Sequence, residues 1–166
     1  VSARTAGFST YSIGSFTNAG LFVLIILMFI GASPGSTAGG IKTTTFFALM
    51  QEVRTVISKR RAGAFHRTLP DEVLRKSSVI ALLSVLVVCI GTFLLCILEP
   101  EYDFIQLVFE VVSAFGTVAL STGITPDLGV LSKLIIILTM YTGRLGAFTL
   151  LSIWINRPDP SAHYTE

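Results

Sequence analysis

Two short polar stretches are the residues best suited to chemistry in this chain. They read TAGFST over Thr5–Thr10 and TVALST over Thr117–Thr122. Neither contains an acidic residue, a histidine or a cysteine, so neither is suited to hold a transition metal through side chains. Both offer backbone carbonyls and hydroxyls, neutral hard oxygens that can replace the water around an alkali cation. This donor set predicts a site that holds a monovalent cation weakly enough to release it.

The two stretches belong to an internal repeat with an offset of 112 residues. With the same offset and no gap, Met28 aligns with Met140, and Gly31 aligns with Gly143. In both copies, therefore, the same distance separates the polar stretch from the end of an apolar segment. Self-similarity at one fixed spacing indicates two copies of one structural unit.

The second copy outlines the whole unit, which we divide into an outer helix 77–98, a pore helix 104–116, a filter 117–122 and a second helix 130–155. The outer helix has 22 uncharged residues, about 33 Å of helix, which suffices to cross a hydrocarbon core of ~30 Å. The pore helix is about 20 Å long, so the chain must turn back within the membrane. Irregular backbone at that depth must be buried or line a watery cavity.

Composition and charge agree with a membrane protein. Hydrophobic residues make up 52% of the chain, charged residues 13%, and the mean hydropathy is +0.76, whereas soluble domains carry roughly 25% charged residues. Seven of the twelve basic residues lie between Arg54 and Lys76, which places the basic loop 58–76 on the cytoplasmic side. A nucleic-acid patch is disfavoured because membrane segments flank this loop. The start VSARTAGFST lacks an initiator methionine and a signal peptide, so we expect a piece of a longer protein.

A third polar stretch, GASPGSTAGGIKTTT, interrupts an apolar helix. Its spacing fails the phosphate-binding loop template, because Ile41 separates Gly40 from Lys42 and the preceding segment is a membrane helix. Small residues and Pro34 instead predict a break between two half-helices that faces the pore. The break is either a static linker or a movable gate. The gate residues are Gly31, Ala32, Ser33, Pro34, Gly35, Ser36, Thr37, Ala38, Gly39 and Gly40.

The stretches RTAGFST, GASPGSTAGGIKTTT, SAFGTVALSTGITPD and TMYTGR resemble the Trk/Ktr/HKT superfamily of potassium transporters, and most closely the bacterial Ktr-type membrane subunit. The resemblance implies an all-α membrane protein with four helix–pore-loop–helix repeats, of which this chain holds the end of the third, with a broken second helix, and the fourth. Carbonyls of each filter loop would bind potassium. Here these residues are Thr5, Ala6, Gly7, Phe8, Thr117, Val118, Ala119 and Leu120.

The resemblance also implies a gated potassium uptake protein of the bacterial plasma membrane that spans it several times and is not an enzyme. No cofactor is expected. The implied partners are a second copy of the protein, a cytoplasmic ring of nucleotide-binding regulatory subunits and membrane lipid. The regions are 1–57, up to the end of the broken helix, the basic loop 58–76, the fourth repeat 77–156 and a cytoplasmic tail 157–166.

Three positions leave alternatives open. The family usually has glycine where this chain has Ala119, and a Cβ in left-handed backbone costs roughly 1–2 kcal/mol. The backbone there is either relaxed or strained, so sodium passage stays an alternative, as does a membrane scaffold that transports nothing. Arg144 lies deep in an apolar segment, where it is a barrier to cations or a structural residue. Glu110 either supports the filter through hydrogen bonds or binds the ion directly.

Overall fold

Five α-helices form the part of the chain that the computed structural model describes, which is residues 7, 9, 13–31, 33, 39–58, 63–64, 67–68 and 71–146. In chain order they are α1 (Asn18–Phe29), α2 (Thr43–Ser58), α3 (Asp71–Leu98), α4 (Phe104–Phe115) and α5 (Val130–Leu145). Two strands of two residues each, β1 (Gly63–Ala64) and β2 (Arg67–Thr68), pair antiparallel, with Gly63 opposite Thr68. The predicted all-α class is confirmed, and this small hairpin is an addition to it.

Helix α3 corresponds to the predicted outer helix. It begins at Asp71, six residues before the predicted start at Ser77. The prediction took only the uncharged run, but a helix continues beyond the hydrocarbon core through charged residues such as Arg75. Within the described residues, Val73–Leu98 is the one segment long and apolar enough to cross a membrane, with a hydropathy of 2.9. Helix α2 ends at Ser58 and α3 begins at Asp71, so fewer residues separate the two helices than the predicted basic loop 58–76 contains.

Helix α4 lies at the centre of the packing. It contacts α1, α3 and α5, and its buried residues are Leu107, Phe109, Glu110, Val111, Val112, Ser113, Ala114 and Phe115. Eight of its residues are buried, including the polar Glu110 and Ser113, so protein surrounds most of this helix. Its 12 residues give about 18 Å of helix, too short to cross the bilayer. The predicted pore helix 104–116 ends one residue later.

Two hydrophobic clusters hold α4 in place. The first joins it to α1 and the filter through Leu21, Ile25, Met28, Phe109, Val112, Val118 and Leu120, together with Ile13. The second joins it to α3 and α5 through Leu95, Leu107, Val111, Ala114, Ile124, Leu128 and Ile136. The pore helix is thus fixed on both sides, so the loop that follows it starts from a rigid base.

Helices α1 and α2 are separated by the break. Ile30 and Ile41, at its two ends, form a parallel bridge. The Gly31 N–H donates to the Ile41 carbonyl at 2.8 Å, and the Ile41 N–H donates to the Phe29 carbonyl at 3.4 Å. Because the two ends are paired in parallel, the chain beyond the break starts beside the end of α1 and runs in the same direction.

Helix α5 is fastened at its start and ends early. The Glu99 Oε1 atom accepts hydrogen bonds from the Gly129 N–H at 2.7 Å and the Ser132 hydroxyl at 2.8 Å. These bonds, chiefly that from Gly129, lower the pKa of Glu99. The predicted second helix extended to residue 155, but α5 ends at Leu145, where Gly146 takes a φ of +81°. Residues 147–155 lie outside the described part, as does the predicted tail 157–166.

Candidate cation filter and the adjacent break

The two predicted filter stretches meet at Gly7 and Ala119. A Cβ built on Gly7 would lie 3.5 Å from the Ala119 Cβ and 3.9 Å from the Val118 carbonyl oxygen. The φ angles of Gly7 and Ala119 are +70° and +63°, so both residues hold left-handed backbone. These two residues are equivalent in the internal repeat. The other predicted filter residues of the first copy, Thr5, Ala6 and Phe8, lie outside the described residues.

The backbone of the second filter alternates in handedness. Thr117 has a φ of +52° and Ala119 a φ of +63°, whereas Val118 between them has no positive φ. Left-handed backbone is uncommon for a β-branched residue and costs of order 1–3 kcal/mol per residue. Of the two alternatives for Ala119, the structure therefore has the strained one. Alanine takes up the conformation that glycine adopts at the equivalent position.

The carbonyl groups of this stretch fall into two sets. Among the described residues, no donor reaches the carbonyl oxygens of Thr117, Val118 and Ala119. The Leu120 carbonyl instead accepts a hydrogen bond from the Ser113 hydroxyl at 2.5 Å. The Leu120 N–H donates to the Ser113 hydroxyl oxygen at 3.1 Å. Leu120 is thus held towards the pore helix. The other three carbonyls keep their lone pairs available for another partner.

Glu110 ties the end of the filter to the pore helix. Its side chain is buried, with 4% of its surface exposed. Oε1 accepts from the Ser121 hydroxyl at 2.7 Å, the Thr122 N–H at 2.9 Å and the Thr122 hydroxyl at 3.1 Å. Oε2 accepts from the Thr125 hydroxyl at 2.9 Å. An ionised carboxylate offers about four acceptor positions, enough for these four donors.

Three chain segments cross in close contact below the filter. A Cβ on Gly143 of α5 would lie 1.9 Å from the Phe115 carbonyl oxygen at the end of α4. A Cβ on Gly39 of the break would lie 2.9 Å from that same oxygen and 3.0 Å from the Gly143 carbonyl oxygen. We call Phe115, Gly39 and Gly143 the glycine junction. Gly39 and Gly143 can approach the Phe115 carbonyl this closely because neither has a side chain.

The break touches the filter directly at this junction. The Gly39 N–H donates to the Thr117 hydroxyl oxygen at 2.9 Å. Of the ten predicted gate residues, Gly31, Ser33, Gly39 and Gly40 are described, and the remaining six, Ala32 and 34–38, lie outside the described residues. Gly31 and Gly39 are also in contact, since a Cβ on Gly31 would lie 2.4 Å from the Gly39 carbonyl oxygen. The described ends of the break are therefore tightly packed.

Arg144 lies in the last turn of α5 and directly follows Gly143 of the glycine junction. Its side chain is exposed within this chain. The backbone contact between Gly143 and Gly39 places Arg144 at the level of the break. The structure thus brings the predicted barrier residue next to the predicted gate residues.

Three elements of the site were not predicted. Ser113 bonds both backbone groups of Leu120, Thr117 bonds the break, and Glu99 fastens α5. The role of Ser113 could have been inferred from the sequence, because a serine in the last turns of a mostly apolar helix needs a hydrogen-bond partner. The bond between Gly39 and Thr117 joins positions 78 residues apart, and no local sequence pattern predicts such a contact.

Comparison with known proteins places this geometry in a family. The model of the family described as "TrkH: Cation transport protein" matches residues 1–163. The chain is 36% identical to the Ktr system potassium uptake protein B of Bacillus subtilis over 167 residues, covering 100% of this chain and 37% of that protein. It is 37% identical to the potassium/sodium uptake protein NtpJ of Enterococcus hirae, covering 100% of this chain and 38% of that protein.

A solved structure gives the same result for the fold. The crystal structure of the potassium transporter TrkH from Vibrio parahaemolyticus matches with a TM-score of 0.74 and 25% identity, covering 93% of this chain and 35% of the other. The chain thus spans little more than a third of the length of these relatives. Family match, relatives and fold agree: the chain belongs to the TrkH family of cation transport proteins, which are proteins of the membrane.

Proposed function

We propose that this chain is part of the pore-forming subunit of a potassium uptake system, in which backbone carbonyls bind the dehydrated ion. One observation carries the proposal. Gly7 and Ala119 meet with the same left-handed backbone, beside three carbonyls that no described donor reaches. Neutral oxygens in this arrangement can replace the hydration of a monovalent cation and still release it.

Potassium is the proposed substrate because the relatives are named for potassium uptake. Sodium is a second candidate, favoured by Ala119 at a position where glycine is expected and by one relative named for both ions. The left-handed φ at Ala119 supports potassium, because the filter keeps the conformation that glycine would adopt. In the second filter, the carbonyl groups that would face the ion are those of Thr117, Val118 and Ala119. The Leu120 carbonyl is bonded to Ser113 instead.

Helix α5 supports the proposal that further repeats complete the pore. On α1, Ile25 and Met28 pack against the pore helix and are 9% and 1% exposed. Their repeat equivalents on α5, Ile137 and Met140, are 62% and 38% exposed. By the symmetry of the repeat, this face of α5 would pack against a pore helix from the part of the protein beyond this sequence.

The break is proposed as the gate, and Arg144 as the electrostatic barrier beside it. The contact of Gly143 with Gly39 supports this pairing, since a guanidinium at the level of the break repels cations. Glu110 is proposed to support the filter and not to bind the ion. Its four hydrogen bonds to the loop support this assignment.

The complete protein is proposed to cross the bacterial plasma membrane several times and to form a homodimer. A cytoplasmic ring of nucleotide-binding subunits is its proposed regulator, with the basic loop as a surface for acidic groups or lipid headgroups. No cofactor and no enzymatic activity are proposed for it.

Rubidium uptake into liposomes that contain the complete protein tests the function. Rubidium resembles potassium in size, so we expect uptake that potassium suppresses by competition. Suppression by sodium at equal concentration would favour the sodium alternative. Liposomes that take up no rubidium, although they contain folded protein, would favour the scaffold alternative.

A further inference from the structure

The hydrogen bond between Gly39 and Thr117 joins the break to the filter. It connects the break after α1 with the first residue of the second filter at a distance of 2.9 Å. Thr117 is also the residue with left-handed backbone that is least suited to it, since its Cβ is branched. A strained residue keeps such a conformation only when its surroundings hold it there.

In this conformation, the atoms around Gly39 orient its N–H. A Cβ on Gly39 would lie 2.9 Å from the Thr117 Cγ2 atom, as well as close to the carbonyl oxygens of Phe115 and Gly143. Gly39 itself is buried. Its N–H is therefore aimed at the Thr117 hydroxyl by three neighbouring segments.

Two further bonds hold the same end of the filter. The Thr117 N–H donates to the Ala114 carbonyl at 3.0 Å, and the Val118 N–H donates to the Ser113 carbonyl at 2.9 Å. Both come from the rigid pore helix. The bond from Gly39 differs from them, because it comes from the segment that is proposed to move.

We propose that Thr117 is a positioning residue that couples the filter to the break. The Gly39 bond orients the Thr117 side chain and stabilises its left-handed backbone, so that the adjacent carbonyls keep the spacing that selects the ion. When Gly39 moves, the bond is lost and selectivity changes together with conduction. The inference rests on the proposed cation pathway and adds a selectivity role for a side chain hydroxyl.

Substitutions at Thr117 in the complete protein test the coupling. Thr117→Val keeps the branched Cβ and the volume but lacks the oxygen, whereas Thr117→Ser keeps the oxygen. In liposomes, we expect Thr117→Val to lower the ratio of rubidium to sodium uptake about three- to tenfold, the loss of one hydrogen bond, and Thr117→Ser to recover most of the ratio. Where Thr117→Val does not fold, Thr117→Ala makes the same comparison with less backbone strain.

A matched control makes the same chemical change away from the filter. Thr139 is a buried threonine of α5 whose hydroxyl donates to the Ile135 carbonyl of its own helix at 2.8 Å. Thr139→Val should leave the uptake ratio unchanged. Equal ratios for Thr117→Val and Thr117→Ser, or a lowered melting temperature with no change in ratio, would overturn the inference. An unmodified protein that takes up no cation would instead refute the proposed function.

Discussion

Gly7 and Ala119 hold the same backbone conformation at equivalent positions of two repeats, with a Cβ on Gly7 directed to within 3.5 Å of the Ala119 Cβ. Their φ angles differ by only a few degrees, +70° against +63°. Glycine adopts this conformation without steric cost and alanine does not. One quadrant of the proposed filter is therefore relaxed at this position and the other is strained.

The strain at Ala119 predicts the effect of removing its methyl group. Ala119→Gly should stabilise the protein by about 1 kcal/mol, because the left-handed backbone no longer meets a Cβ. Thermal unfolding of the complete protein in detergent measures this. Gly7→Ala is the matched variant: its Cβ has space but meets the same strain, so it should destabilise by about 1–2 kcal/mol. Destabilisation by Ala119→Gly would contradict the strain.

Removing the charge of Glu110 should weaken the hydrogen bonds that hold the loop after the filter. Glu110→Gln replaces one acceptor oxygen by an amide donor that faces the hydroxyl donors of Ser121, Thr122 or Thr125. We expect a destabilisation of about 2–3 kcal/mol and a lower ratio of rubidium to sodium uptake. Glu101→Gln, at an exposed position, is the control and should change neither. Wild-type stability and selectivity in Glu110→Gln would show that these bonds do not hold the filter.

A methyl group added at Gly143 should disturb the fold more than one added at any other position considered above. In Gly143→Ala the new Cβ would lie 1.9 Å from the Phe115 carbonyl oxygen, and backbone must move to make room. We expect loss of folded protein, or cation uptake reduced at least tenfold, measured by yield, size-exclusion chromatography and flux. In the control Gly20→Ala, the nearest atom to the new Cβ is the Cδ1 of the Phe16 ring at 3.1 Å, a side-chain atom that needs to shift by only a few tenths of an ångström. Equal tolerance of both variants would contradict the close packing.

Arg144 predicts an increase in conduction when the barrier is removed. Arg144→Ala should raise rubidium uptake, because the positive charge beside the break opposes cations. Arg144→Lys keeps the charge and should stay close to the unmodified protein. A folded Arg144→Ala protein with unchanged or lower uptake would favour the structural role over the barrier.

The hydrogen bonds of Glu99 at the start of α5 predict that stability depends on pH. These bonds hold the pKa of Glu99 below the ordinary value of 4.5. The carboxylate therefore contributes stability above pH 4.5, and this contribution is lost as the pH falls through the lowered pKa. Between pH 7 and pH 3 the melting temperature of the unmodified protein should fall more than that of Glu99→Gln. Parallel curves would show that Glu99 does not fasten α5.

The sequence predicted the features that depend on local pattern and on the repeat. The offset that aligns Gly7 with Ala119 predicted two equivalent loops, and the predicted pore helix 104–116 differs from α4 by one residue at its end. Features that depend on tertiary contacts could not be predicted from the sequence. The bond from Gly39 to Thr117 joins distant segments, and the early end of α5 depends on the conformation of Gly146, which its residue type permits but does not require.

The position of a bound ion tests the central proposal most directly. We suggest growing crystals of the complete protein in thallium or rubidium and locating the ion by its anomalous scattering. We predict an anomalous peak beside the contact between Gly7 and Ala119, within bonding distance of the carbonyl oxygens of Thr117, Val118 or Ala119. A peak coordinated by the Glu110 carboxylate, or no peak between these loops in a protein that transports rubidium, would contradict the account.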